Sequence, residues 1–329
     1  MFTLKKRPGR DFQILNLSDP QLEGKDWKED GAKRHILEGT VRTLTERVCP
    51  DLITISGDVA APGDFDGYEY LANFLDGFGV PWSPVWGNHD NEKGPETIRQ
   101  VAELCMRHPH CLYESGPEAL GDGNYVIRIE EEGKAVSAVV LMDTHDRMPY
   151  VSPDGETSRE WAKLIPEQIA WYREQILALN AEGCPSSILV VHIPINAYRA
   201  AFEEALVPGV DLSKISIEES ARGVGWKPEY AAVSFGVLRE RFSIYPEDEG
   251  AFDAIRELGS TKYVIAGHNH MNNAVTRRDG VTLAYGLKTG IGSYWAPGTN
   301  GGTVLTVSSD GAIRLRHEYV DLSPWSGEI

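Results

Sequence analysis

Repeatedly along this chain, a short apolar run stops on a residue that can hold a cation or carry a proton. Phe12 to Leu17 halts at Ser18-Asp19-Pro20, and Leu52 to Ile55 halts at Ser56-Gly57-Asp58. Trp82 to Trp86 gives way to Gly87-Asn88-His89-Asp90, Ile188 to Val191 to His192, and Tyr263 to Ala266 to Gly267-His268-Asn269-His270. Between these runs the apolar spacing turns helical. Leu37, Val41, Leu44 and Val48 recur at four, three and four until Pro50, and Leu71, Phe74, Leu75 and Phe78 follow the same period. Strand, helix, strand, helix, strand is the order of a parallel α/β sheet, and few other folds accept it.

The rest of the chain extends that reading. A helix is expected over about Pro95 to Arg107, then strands over Asn124 to Ile129 and Ala135 to Met142, the second ending at Asp143. Helical spacing returns at Ile169, Tyr172, Ile176 and Leu179, behind Pro166 at the helix start. Residues 197–249 are acidic, irregular and interrupted by Gly and Pro, and a short helix follows near Ala251 to Leu258. Val281 to Ala284, Thr303 to Val307 and Ile313 to Tyr319 read as strands, with Asp-Gly turns at 279–280 and 310–311. No repeat and no long linker divides the chain. The expectation is one domain over 1–329, with a cleft-covering insert at about 197–249.

Composition narrows the function. The formal charge is −17 over 329 residues, so most of the surface repels a phosphate backbone and no nucleic-acid partner is expected. A small phosphorylated ligand is compatible, because a local cation overrules the global field. Cys49, Cys105, Cys111 and Cys184 lie far apart without metal-type spacing, as expected of free thiols in a reducing compartment. The basic start, Lys5, Lys6, Arg7 and Arg10, leads into no apolar signal core, and no run approaches the roughly 18 residues of a membrane span. A soluble, cytoplasmic protein without a membrane partner is therefore expected.

Each strand-end block alone fits an ordinary turn, since Gly, Asp and Asn favour turns. Together they place ligand-type residues at one sheet edge, where α/β folds bind their ligands. In this order, Asp19-x-Gln21, Gly57-Asp58, Gly87-Asn88-His89-Asp90, His192 and Gly267-His268-x-His270 resemble the calcineurin-like metallophosphoesterase superfamily. Gly123-Asn124-Tyr125, His192-Ile193-Pro194, Met271-Asn272-Asn273 and Tyr285 through Gly290 resemble its purple-acid-phosphatase-like branch of small phosphatases.

That resemblance implies a four-layer α/β/β/α sandwich with a dinuclear metal centre. One ion would take Asp19, Asp58 and His270; the other would take Asp58, Asn88, His192 and His268, with Asp58 bridging. His89 matches the histidine that serves the leaving group, and Asp90 would orient it. Gln21 stands where the family usually has a histidine. It joins the ligand set, or it points away to the backbone near Pro20. Two divalent or mixed-valence ions, manganese, iron or zinc by ligand type, would hold a bridging hydroxide and clamp the phosphoryl oxygens.

The reading is a phosphoesterase, with a phosphomonoester on a small molecule or phosphoprotein favoured. The alternatives are a phosphodiesterase for cyclic nucleotides or glycerophosphodiesters, and a catalytically weak phosphate-ligand-binding protein. Asp143-Thr144-His145-Asp146 could also line the cleft, although a turn suits it better.

Overall fold

The computed structural model describes residues 1–28 and 31–328. Its strands are β1 (Phe2–Lys5), β2 (Phe12–Leu17), β3 (Leu52–Ser56), β4 (Trp82–Val85), β5 (Tyr125–Glu131), β6 (Lys134–Leu141) and β7 (Arg147–Val151). They continue with β8 (Thr157–Trp161), β9 (Ser187–Val190), β10 (Thr261–Ala266), β11 (Val275–Arg278), β12 (Val281–Tyr285), β13 (Gly301–Val307) and β14 (Ile313–Tyr319). The helices are α1 (Ala32–Val48), α2 (Phe65–Asp76), α3 (Asn88–Asn91), α4 (Pro95–Cys105), α5 (Pro166–Ala181), α6 (Ala197–Ala205), α7 (Ile217–Ala221) and α8 (Ala251–Leu258).

Two sheets carry the molecule. One runs β14-β13-β2-β3-β4, with β2, β3 and β4 parallel. The other runs β1-β5-β6-β9-β10-β12-β11, with β6, β9, β10 and β12 parallel. Side-chain alternation explains why they stack. Ile127, Val139, Leu141, Ile188, Val190 and Ile265 face the core shared with β2, β3, α1, α2 and α4. Their neighbours Val126, Val140, Leu189 and Val264 face the second core, with Tyr172, Ile176, Tyr198, Phe202 and Ile255 of α5, α6 and α8. A strand with period two and both faces apolar has to be covered on both sides. The result is helix, sheet, sheet, helix, the expected four layers.

The sequence reading of the helices holds where the apolar stripe is regular. In α1 the expected Leu37, Val41, Leu44 and Val48 are buried, and Cys49 ends it in a left-handed turn whose N–H donates to Thr45 O at 2.9 Å. It misses elements without a buried stripe. The β7–β8 hairpin contains only exposed and half-buried residues, and the edge strands β1 and β11 are short. Part of the irregular 197–249 segment is ordered differently: α6 sinks Tyr198 and Phe202 into the second core. Among the described residues no helix is long and apolar enough to cross a membrane.

Candidate metal centre

The carboxyl ends of β2, β3 and β4 from one sheet meet those of β9 and β10 from the other. Asp19, Asp58 and Asn88 follow the first three; His192, His268 and His270 follow the last two. Three of these turns demand an unusual backbone at four residues. Asp19, Gln21, Asp58 and His268 adopt φ of 51°, 33°, 49° and 72°. Left-handed non-glycine residues cost about 1–3 kcal/mol each and gather where function over-determines them. The glycine before Asn88 is required by space, because a Cβ at Gly87 would run into the Asp58 carboxylate.

The side chains converge. His270 Nε2 lies 3.3 Å from Asp19 Oδ1, and His192 Nε2 lies 3.4 Å from Asp58 Oδ1 and 3.0 Å from Asn88 Oδ1. His268 Nδ1 is 3.3 Å from His192 Nε2, while its backbone N–H donates to Asp19 Oδ1 at 3.1 Å. Donor atoms of Asp19, Asp58 and His270 all fall within 4.8 Å of one another, and all three residues are buried. Gln21 joins through its backbone, N–H to Asp58 O at 3.1 Å.

The fit to metal ions rests on what is left unsatisfied. Gln21 Oε1 and His268 Nε2 are buried without a hydrogen-bond partner, and buried polar atoms are normally paired. The donors are carboxylate, amide and imidazole, a set suited to manganese, iron or zinc. The protonation states point the same way. Burial opposes the charge on Asp19, yet His270 and His192 hold its carboxyl below the usual range. Burial would likewise lower His192, but the Asp58 and Asp19 carboxylates outweigh it and push the imidazole up to about 9. Burial and the neighbouring His192 charge push His268 down to about 3. A proton on His192 thus fills part of the role a cation would take over.

One expectation is corrected. Asp90 does not orient His89. It occupies the third position of the α3 turn, so its carboxylate folds back to accept from Gly87 N at 2.7 Å, and it also takes Val59 N at 3.0 Å and Tyr68 Oη at 2.6 Å. Burial and the charge of Asp58 push Asp90 up to about 7. His89 instead meets Glu92, one helical turn on, with Nδ1 to Oε1 at 2.7 Å and its ring 37% exposed at the lip of the site. Asp143 ties loops together: it accepts from Asn91 Nδ2 at 3.1 Å and faces His145 Nδ1 at 3.1 Å. Sequence reasoning overlooked Lys288, which is buried beneath the site and donates to the backbone carbonyl of Asp19. It also overlooked Trp161, whose ring meets His268 edge-on at 4.4 Å. Lys288 lies inside the Tyr285–Gly290 block quoted above, which was the sequence signal for the first.

Comparison with known proteins agrees with this geometry. Over 268 residues the chain is 26% identical to the "probable inactive purple acid phosphatase 29" of Arabidopsis thaliana, covering 76% of this chain and 62% of that one. It thus spans about three-fifths of the length of this relative and of two others named probable inactive purple acid phosphatases. A shorter stretch of 79 residues, 24% of this chain and 27% of the other, is 33% identical to a "probable cyclic nucleotide phosphodiesterase" of Moraxella catarrhalis (strain BBH18). Among solved structures, a dimetal phosphatase from Danio rerio shares the fold with a TM-score of 0.55 at 13% identity, over 95% of this chain and 98% of that one. The model of the calcineurin-like phosphoesterases matches residues 12–272, which include every strand-end block assembled at this site. The chain belongs to the calcineurin-like phosphoesterase family.

Proposed function

We propose that the protein is a metal-dependent phosphoesterase that favours phosphomonoesters, on a small molecule or a phosphoprotein. The observation that carries this reading is the meeting of Asp19, Asp58 and His270 with Asn88, His192 and His268 at the joint edge of the two sheets. Asp19, Gln21, Asp58 and His270 would hold one ion; Asp58, Asn88, His192 and His268 would hold the other. Bound there, the ions would supply Lewis-acid clamping of phosphoryl oxygens and an activated water. His89 stands at the lip with Glu92 behind its Nδ1, so Nε2 is the atom that delivers a proton to the departing alkoxide. Glu92 fixes the tautomer, the role first given to Asp90.

The monoester preference leans on extent of similarity: relatives named probable inactive purple acid phosphatases align over 74–78% of the chain, and two named probable cyclic nucleotide phosphodiesterases over 24% and 17%. Part of the 197–249 segment borders the centre. Asn269 Nδ2 donates to Arg241 O at 3.2 Å and to Ser243 Oγ at 3.3 Å, so residues 239–243 are the part we assign to substrate selection. The widely spaced cysteines keep a cytoplasmic setting as our expectation.

The test is metal analysis of manganese-reconstituted protein beside rates on p-nitrophenyl phosphate and bis-p-nitrophenyl phosphate. Two bound ions with faster monoester turnover is the expected result. Faster diester turnover would favour a phosphodiesterase, the reading that the local 33% identity keeps in view. Phosphate binding with no turnover would make the protein a ligand-binding member of the family. Fewer than two ions would overturn the proposal.

A further inference from the structure

We propose that residues 288–294 act as a clamp that builds the first metal position, the one assigned to Asp19, Gln21, Asp58 and His270, and sets its affinity apart from the second. The inference rests on the two-metal reading above. It concerns a loop that lies beyond the residues 12–272 matched by the family model.

The loop touches three of those four residues, each in a different way. Lys288, 1% exposed, donates to the backbone carbonyl of Asp19. Beside it, Thr289 N donates to Ser18 O at 2.9 Å and Ser18 N donates to Thr289 Oγ1 at 3.1 Å, which fastens the residue before Asp19 from both sides. Gly292 presses against the turn that carries Gln21: a Cβ there would run into the carbonyls of Gln21 and Pro20. Tyr294 covers His270, with ring centroids 4.1 Å apart and planes 15° from parallel. His270 Nδ1 donates to the Tyr294 carbonyl at 2.9 Å, so the lone pair stays on Nε2, which faces Asp19.

Each contact answers a physical need. Asp19 and Gln21 sit in left-handed turns that relax unless held. A neutral amide oxygen is also the weakest donor of the four, so its position depends most on the backbone behind it. The second position is held from elsewhere: His192 Nδ1 donates to Ser56 O at 2.9 Å, and His268 packs on Trp161 and His192. The clamp has a latch. Tyr294 Oη donates to Glu240 Oε2 at 3.0 Å, and Glu240 Oε1 accepts from Met271 N at 2.8 Å, immediately after His270.

The experiment is calorimetric titration of the metal-free full chain with manganese, with uptake counted by electron paramagnetic resonance. Asn88→Ala, which removes a donor of the second position alone, identifies which binding step belongs to which ion. Gly292→Ala and Tyr294→Ala should weaken the first step by about 10–100-fold, the usual effect of losing a residue that supports a ligand, and leave the second unchanged. Tyr294→Phe keeps the ring and the carbonyl and should restore most of the first step. Tyr294 is 43% exposed, so its truncation leaves the fold intact, and circular dichroism of the metal-free variants checks this. Wild-type affinities for both ions in Gly292→Ala and Tyr294→Ala would overturn the clamp, as would equal weakening of both steps in folded protein. A wild type that takes up fewer than two ions overturns the metal reading itself and the clamp with it.

Discussion

His89 and Asp90 are adjacent in sequence and serve opposite ends of the same turn. Asp90 is fully enclosed, spending both oxygens on Gly87, Val59 and Tyr68, whereas His89 reaches the lip of the site and pairs with Glu92. The division follows from the helical turn, which places the third residue over the first N–H groups and leaves the second facing out. His89→Ala should therefore keep two bound ions and lower kcat by about 10²–10⁴-fold on an alkyl phosphate, the usual worth of a positioned proton donor. The loss should shrink on p-nitrophenyl phosphate, whose leaving group departs without a proton. Equal losses on both esters, or lost metal, would show that His89 has another role.

Among the elements, α6 shows how a segment that reads as irregular becomes part of the frame. Its sequence, AYRAAFEEA, is short and carries no acidic first turn or Pro to announce it. Tyr198 decides its place. The buried hydroxyl stands 2.9 Å from the carbonyls of Val264 and of Ala284, at the seam where β10 pairs with β12. Tyr198→Phe removes that hydroxyl and leaves two buried acceptors short of it, so it should destabilise the protein by about 1–3 kcal/mol without altering metal uptake. Thermal melts of metal-free protein measure this directly, and an unchanged melting temperature would mean that α6 does not depend on the bond. The β7–β8 hairpin teaches the complementary lesson. It has no buried stripe, yet it brings Trp161 onto His268, with Arg147 stacked 3.7 Å above the indole.

On the scale of the whole molecule, the centre closes the gap between two sheets, so metal should act as a bridge for the fold. Manganese at a hundredfold excess over its Kd should stabilise the native state by about 2.7 kcal/mol per ion, and a chelator should reverse it. Melting temperatures with and without EDTA provide the check; no difference would place the ions outside the folded core. Much of this was legible in advance. The alternation of 3.6- and 2-residue periods determined the α/β class, because a run with apolar residues at either period can bury them only as that element. The polar residues closing β2, β3, β4, β9 and β10 located the site at the strand ends, because apolar runs stop where the chain leaves the core. Tertiary structure alone decided which atoms meet there. Asp19 and His270 are separated by 250 residues and still approach to 3.3 Å, because the two sheets stack face to face. Partners such as Lys288 under Asp19, Tyr294 over His270 and Glu92 behind His89 leave no period in the sequence. Each is a single contact fixed by how loops from different layers pack, and packing is a property of the folded chain.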